Sequence, residues 1–304
     1  MPVKIATGLP ATEILSNEGI FLIPEDRAQA QDIRPLKILI LNLMPLKTTT
    51  EVQLLRLLGN SPLQIEIELM HAASHLSRNA VPEYLDQFYT TYDRVKEHKY
   101  DGLIITGAPV EQLPFEQVDY WPEMAQILQW SRSHVYSTLH ICWGALAGLY
   151  YHHRIDKTEL SQKLCGVFKH YAKGEGHPLL RGFDDVFYAP HSRYSTVLAQ
   201  DFLANANLDV LADSPEAGIH LAAQKDGRQV YILGHGEYDR NTLAEEYARD
   251  TQKGLNPSLP LNYFPEDNPN LPPAFCWRGH QALLFNNWLN FIYQNTPYDV
   301  SLIC

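Results

Sequence analysis

The run Val135-Tyr136-Ser137-Thr138-Leu139-His140-Ile141 has the make-up of a buried β-strand, and it stops abruptly at Cys142. Trp143, Gly144, Ala145, Leu146, Ala147, Gly148, Leu149 and Tyr150 follow without a spacer and read as helix. A strand that feeds straight into a helix leaves one residue to make the corner. Its side chain is exposed beside the helix N-terminus, where partial positive charge favours a thiolate, the form that attacks carbonyls. Gly144 is the small residue such a corner needs to close. The segment alone fits a nucleophile and a buried structural thiol equally well, because free cysteine is among the most buried residue types.

The same grammar recurs along the chain. Leu36-Lys37-Ile38-Leu39-Ile40-Leu41-Asn42-Leu43 is a continuous apolar run of the kind expected of a strand covered on both faces. Strand-like runs follow at 63–69, 102–106 and 135–141, and helical patterns at 52–58, 82–98 and 115–131 separate them. Thr48-Thr49-Thr50-Glu51 and Thr242-Leu243-Ala244-Glu245 have the spacing of capping boxes, the second opening a helix over 242–252. The alternation predicts an α/β fold with a doubly wound, mostly parallel sheet. Further strands are expected at 185–189, 208–211, 218–223 and 229–234, the last two as a hairpin around Asp226-Gly227. Residues 256–273 are rich in Pro and Asn and read as irregular. Leu284, Trp288 and Ile292 then share one face of a closing helix. Residues 1–35 are expected to form an N-terminal arm, and 36–304 a single α/β domain with a C-terminal helical extension.

Bulk properties exclude several classes. With 304 residues and a net charge of −11, the chain is a poor match for nucleic acid or an anionic membrane. No apolar run approaches the roughly 20 residues that span a bilayer, and the N-terminus lacks a signal-peptide pattern. Cys142, Cys165, Cys276 and Cys304 are scattered, without C-x-x-C, so neither a disulfide scaffold nor a zinc knuckle is expected. His152-His153 and His140-x-Cys142 lack completing ligands, so no metal is expected. Phosphate-binding glycine loops are absent as well. A cytoplasmic protein fits best.

In open α/β sheets, ligands bind beyond the carboxyl ends of the strands. Those ends carry Pro45-Leu46-Lys47, Thr106-Gly107-Ala108-Pro109-Val110-Glu111, Cys142-Trp143-Gly144, Pro190-His191-Ser192-Arg193 and His235-Gly236-Glu237. Residues two apart in an extended segment point the same way. Glu237 can therefore hold an imidazole at His235 that exchanges a proton with Cys142, the division of labour of a Cys-His-acid triad. Backbone N–H groups at Gly107 and Trp143 are candidates for an oxyanion hole, although Thr106-Gly107 reads equally as an ordinary turn. Lys47, Lys163, Arg193 and Arg249 could each bind a carboxylate, and each also fits a solvated surface charge.

The Cys142 corner and His235-x-Glu237 resemble the class I glutamine amidotransferase-like (flavodoxin-like) fold. Longer strings resemble homoserine O-acyltransferases: Leu41-Asn42-Leu43-Met44-Pro45, Leu103-Ile104-Ile105-Thr106-Gly107-Ala108-Pro109-Val110-Glu111, Ser137-Thr138-Leu139-His140-Ile141-Cys142-Trp143-Gly144, Pro190-His191-Ser192-Arg193 and Trp288-Leu289-Asn290. That resemblance implies transfer of an acyl group from acyl-CoA to the hydroxyl of L-homoserine in methionine biosynthesis, with no further cofactor. It implies a thioester on Cys142, ping-pong kinetics, His235 as base and Glu237 as its orienter. It also implies substrate binding by Lys163, Ser192 and Arg249, with Arg249 and Lys47 facing the amino acid's carboxylate, and a homodimer. Glutamate at position 111 accompanies acetyl-CoA use in the family, and glycine accompanies succinyl-CoA use. Glu111 fills space and sets a negative charge where succinyl's free carboxylate would lie, so acetyl transfer is expected. Alternatives are succinyl transfer, acetylation of L-serine, a glutamine amidotransferase-like cysteine hydrolase, and a redox sensor on the same fold.

Overall fold

The computed structural model describes residues 3–5, 9–17, 22–24, 34–74 and 82–304. Much of the expected arm, including Asp32-Ile33, lies outside the described residues. The elements run β1 (Val3–Ile5), α1 (Ala11–Asn17), β2 (Leu22–Pro24), β3 (Leu36–Leu41), α2 (Lys47–Leu58), β4 (Ile65–Met70), α3 (Pro82–Phe88), β5 (Tyr89–Thr90), α4 (Tyr92–Val95), β6 (Tyr100–Ile105), α5 (Trp121–His134), β7 (Val135–Ile141) and α6 (Trp143–His153). They continue with β8 (Thr158–Ala172), β9 (Val186–Thr196), α7 (Ala199–Leu203), β10 (Leu208–Ser214), β11 (Gly218–Gln224), β12 (Gln229–Ile232), α8 (Thr242–Gln252) and α9 (Arg278–Asn295).

One sheet takes the order β2-β1-β4-β3-β6-β7-β12-β11-β10-β8-β9, with β5 beside β4. Every pairing from β2 through β12 is parallel. Beyond β12 the sheet turns antiparallel through β11, β10, β8 and β9. The β3 run explains why the parallel half is covered on both faces. Ile38 and Ile40 pack with Leu54 and Leu58 of α2 and Trp288 and Ile292 of α9, whereas Leu39 and Leu41 pack with Met124 and Leu128 of α5 and Leu146 of α6. At the opposite end from the candidate site, buried Asp101 accepts three hydrogen bonds from the Arg34 guanidinium, at 3.0 and 3.1 Å on one oxygen and 3.1 Å on the other, and the Lys37 N–H at 2.8 Å.

Several sequence expectations need correction. Helix α2 begins at Lys47, five residues before the expected start, and Thr48–Glu51 do not cap it. Glu51 instead accepts the Tyr84 hydroxyl at 2.6 Å and also the Tyr89 hydroxyl. The long helix expected over 82–98 is interrupted because Tyr89 and Thr90 pair with Leu69 and Met70. Thr242 does not cap α8, whose N-cap is Asn241. Its hydroxyl accepts from the Asp239 N–H. The largest omission is β8. Its polar residues and mid-strand Gly166 hide the strand, yet Gly166 lets Leu261 pass so close that a Cβ would lie 2.3 Å from the Leu261 carbonyl oxygen. The hairpin at Gly227, with φ of 71°, and the helix over 242–252 form as expected.

Candidate active site

Cys142 sits at the carboxyl end of β7 with φ of 50° and ψ of −113°, and Trp143 opens α6. A non-glycine residue at such angles is strained, and strain of this kind concentrates at functional sites. Both flanks fix the corner: the Cys142 N–H donates to the Ile232 carbonyl at 2.8 Å, and its own carbonyl accepts from the Leu146 N–H at 3.0 Å. Gly144 lets the corner close by lacking a side chain. Its backbone is unstrained, but a Cβ there would lie 2.8 Å from the carbonyl oxygens of Ile105 and Thr106, so glycine admits the neighbouring β6 backbone.

The next strand end brings the partner. His235 follows β12, which lies parallel to β7, and its N–H donates to the Pro190 carbonyl at 2.8 Å. Its Nδ1 lies 2.7 Å from Glu237 Oε1. The carboxylate accepts a hydrogen bond from Nδ1–H, which leaves Nε2 for the sulfur of Cys142, with which the ring is hydrogen-bonded. Tyr238 stacks on the imidazole at 4.2 Å and fixes its plane. Burial opposes a charge on His235, but Cys142 and Glu237 together raise its pKa well above the ordinary value. The three groups expected to form a triad are therefore in contact.

Gly107, at the end of β6, packs across this pair: a Cβ there would lie 3.3 Å from Cys142 Cβ and 3.5 Å from His235 Cε1. A side chain at this position would fill the space over the sulfur. The Trp143 N–H is the first of α6 and has no intrahelical acceptor. Glu111 reaches the same region. Its carboxyl lies beside the backbone of Tyr194 and Ser195 and feels the charges of His235 and Arg193, with Oε2 unpartnered among the described residues, while burial raises its pKa overall. Arg193 itself is buried with only Nη2 hydrogen-bonded, to the Ala217 carbonyl, and Nε and Nη1 unpartnered among the described residues. Burial lowers its pKa to about 10, against the pull of Cys142 and Glu111. Sequence alone gave Arg193 no better standing than any surface arginine.

Ser192, Lys163 and Arg249 form a second group, linked by two carboxylates that were not anticipated. Ser192 Oγ donates to Glu246 Oε2, Lys163 Nζ lies 3.1 Å from the same oxygen and 3.4 Å from Asp250 Oδ2, and Tyr238 Oη donates to Glu246 Oε1 at 2.8 Å. Tyr238 thereby ties this group to the imidazole it stacks on. Burial works against charge on Glu246, yet Lys163 and Ser192 bring its pKa below the usual carboxylate value. Arg249 remains 53% exposed and grips Asp250 at 2.8 and 2.9 Å. Glu246 and Asp250 are four residues apart on α8. That spacing, which puts both on one helix face, was the available sequence signal.

Lys47 belongs to a different neighbourhood. Its Nζ donates to the Asn42 carbonyl at 2.5 Å, and Tyr89 and Glu51 surround it. Burial lowers its pKa to about 8, offset in part by Glu51. The metal expectation also meets an unforeseen cluster. His170, His191 and His220 are all buried, with one nitrogen from each within 4.8 Å of the others, a set that could hold a metal ion. His170 Nδ1 donates to the Phe168 carbonyl, so the 3.0 Å contact between His191 Nε2 and His170 Nε2 runs from His191 to His170. Arg193 disfavours added positive charge on all three rings.

Three comparisons relate the chain to known proteins. A family model described as homoserine O-succinyltransferase matches residues 2–298. A homoserine O-acetyltransferase of Acetivibrio thermocellus is 55% identical over 302 residues, covering 99% of each chain. One of Shouchella clausii is 56% identical over 301 residues, covering 99% of this chain and 97% of the relative. Among solved structures, a glutamine amidotransferase of Thermotoga maritima aligns with a TM-score of 0.54 at 11% identity, over 86% of this chain and 99% of that one. The glutaminase domain of Trypanosoma brucei CTPS aligns at 0.53 and 9%, over 86% and 94%. At such identities the likeness is one of fold, that of the class I glutamine amidotransferases. No helix among the described residues is long and apolar enough to cross a membrane.

Proposed function

The chain belongs to the homoserine O-succinyltransferase family, and from that premise we propose that it moves an acetyl group from acetyl-CoA to the hydroxyl of L-homoserine through a thioester on Cys142. The observation that carries this reading is the strained Cys142 corner hydrogen-bonded to an imidazole whose other nitrogen is held by Glu237. Cys142 attacks the acetyl carbonyl. The Gly107 and Trp143 N–H groups receive the oxyanion, and CoA leaves with a proton from His235. His235 then takes the proton of the homoserine hydroxyl, which attacks the thioester and frees the sulfur. Ser192, Lys163 and Arg249 hold the amino acid's polar end, where Glu246 and Asp250 suit its ammonium group.

Glu111 argues for acetyl over succinyl. A half-buried carboxylate beside the imidazole excludes a second carboxylate by space and by charge. This reading supports a cytoplasmic homodimer that needs no cofactor besides its acyl donor, with the dimer open to sedimentation. A matrix of acetyl- or succinyl-CoA against homoserine or serine tests the assignment: acetyl-CoA with homoserine is expected to give the highest kcat/KM. Preference for succinyl-CoA or serine contradicts it, as does glutamine hydrolysis without acyl-CoA.

A further inference from the structure

A cleft of about 860 Å³ runs along α2 from Thr48 to Leu57 and on to Asn60, bounded by Ile14 of α1, the segment after Glu237 and the start of α9. Its volume falls within the range of small-molecule and cofactor sites. One wall carries Thr48 and Thr49, which directly follow Lys47. Another carries Asp239 and Arg240, which begin two residues beyond Glu237. The second wall thus continues from the segment that carries His235 and Glu237.

The lining carries one net positive charge in a chain of net charge −11. Arg56, Arg240 and Arg278 line it, against the acidic Asp239 and Glu245. Arg56 is paired with Asp239 at 2.5 Å. The other two guanidiniums are held by an aromatic ring: Arg240 lies 5.9 Å and Arg278 4.6 Å from the centre of Phe275. Among the described residues neither forms a salt bridge with a carboxylate. A guanidinium placed over a ring keeps its N–H edge available for the bidentate grip of a phosphate. Thr48 and Thr49 add hydroxyls in the first turn of a twelve-residue helix, whose positive end favours an anion.

We infer that this cleft binds the phosphorylated adenine nucleotide end of the acyl-CoA donor, with Arg240 and Arg278 on its phosphates. The inference rests on the acetyl-CoA reading for the ligand's identity. The flexible pantetheine arm would run from the cleft to Cys142, which explains a net positive lining beside a site whose chemistry involves only a small acyl group.

The test separates the cleft from the donor assignment. Calorimetry with adenosine 3′,5′-bisphosphate is expected to show binding to the wild type that falls about tenfold or more in Arg240→Ala/Arg278→Ala. Unphosphorylated adenosine should bind weakly to both. In turnover, the double variant should raise KM for acetyl-CoA by a similar factor and leave kcat/KM for acetyl-pantetheine, which lacks the nucleotide, unchanged. Both arginines are exposed, so folding is not at stake, and Arg240→Glu should deepen the loss. Equal bisphosphate binding in wild type and variant overturns the inference, as do equal losses with both donors. A wild type that binds the bisphosphate but transfers no acetyl group contradicts the acetyltransferase reading and leaves the cleft supported.

Discussion

The two halves of the sheet carry their chemistry in different ways. In the parallel half, Cys142, Gly107 and His235 each lie at or just beyond a strand's carboxyl end, so fixing the strand order places them together. In the antiparallel half, Lys163, Ser192 and Arg193 lie within the long β8–β9 ribbon, where cross-strand register decides what meets what: Leu164 faces Arg193 and Cys165 faces Ser192. Strand-end positions follow from topology alone. Positions inside a ribbon depend on pairing, and one residue of slip would send Ser192 to the other face. The nucleophilic machinery is thus anchored by topology, and the recognition machinery by register.

This contrast predicts a graded set of effects. Cys142→Ala should abolish transfer, a loss on the order of 10⁴-fold or more in kcat, with binding of both substrates retained. Glu237→Gln removes the acceptor of the His235 proton and should cost about 10²- to 10⁴-fold in kcat. It also tests the electrostatics. The raised pKa of His235 means that its ion pair stabilises the fold fully below the ordinary imidazole value of 6.5 and is lost as pH rises through the raised value. In Glu237→Gln that alkaline loss should be smaller and complete at a lower pH, as measured by urea unfolding across pH. An unchanged profile would show that Glu237 does not support the charge.

The recognition half should respond differently. Glu246→Gln is expected to raise KM for homoserine about 10- to 100-fold while sparing the first half-reaction, read as the burst of CoA release. A lost burst would place Glu246 in the nucleophilic machinery and collapse the distinction between the halves. The smallest expected effect is at Glu111. Glu111→Gly should move donor preference toward succinyl-CoA by about tenfold. Because burial raises the Glu111 pKa, its charge disappears at a higher pH than for an ordinary glutamate. Wild-type discrimination against succinyl-CoA should therefore weaken as pH falls, and discrimination that is flat with pH would leave bulk as its sole cause.

The same division explains what could be read from the chain. Val135–Ile141 ends where expected because a continuous apolar strand and a small-residue helix leave no choice about the corner, and the Asp226-Gly227 hairpin is likewise local. Strand β8 was hidden because its fifteen residues mix Glu, Ser, Gln and Lys on a half-exposed ribbon, and Gly166 serves a distant backbone rather than a local turn. Glu51 and Thr242 looked like capping residues by spacing, but other partners claimed both side chains: Tyr84 and Tyr89 for one, distant Gln53 and the nearby Asp239 N–H for the other. Glu246, Asp250 and Arg193 gain meaning only from what folds against them.

Mass spectrometry of the intact chain and its Cys142 peptide, quenched within one turnover after mixing with acetyl-CoA, bears most directly on the mechanism. An acetyl group should reside on Cys142, vanish on addition of homoserine and be absent from Cys142→Ala. Acetate on another residue, or none while O-acetylhomoserine accumulates, would contradict covalent transfer through this sulfur.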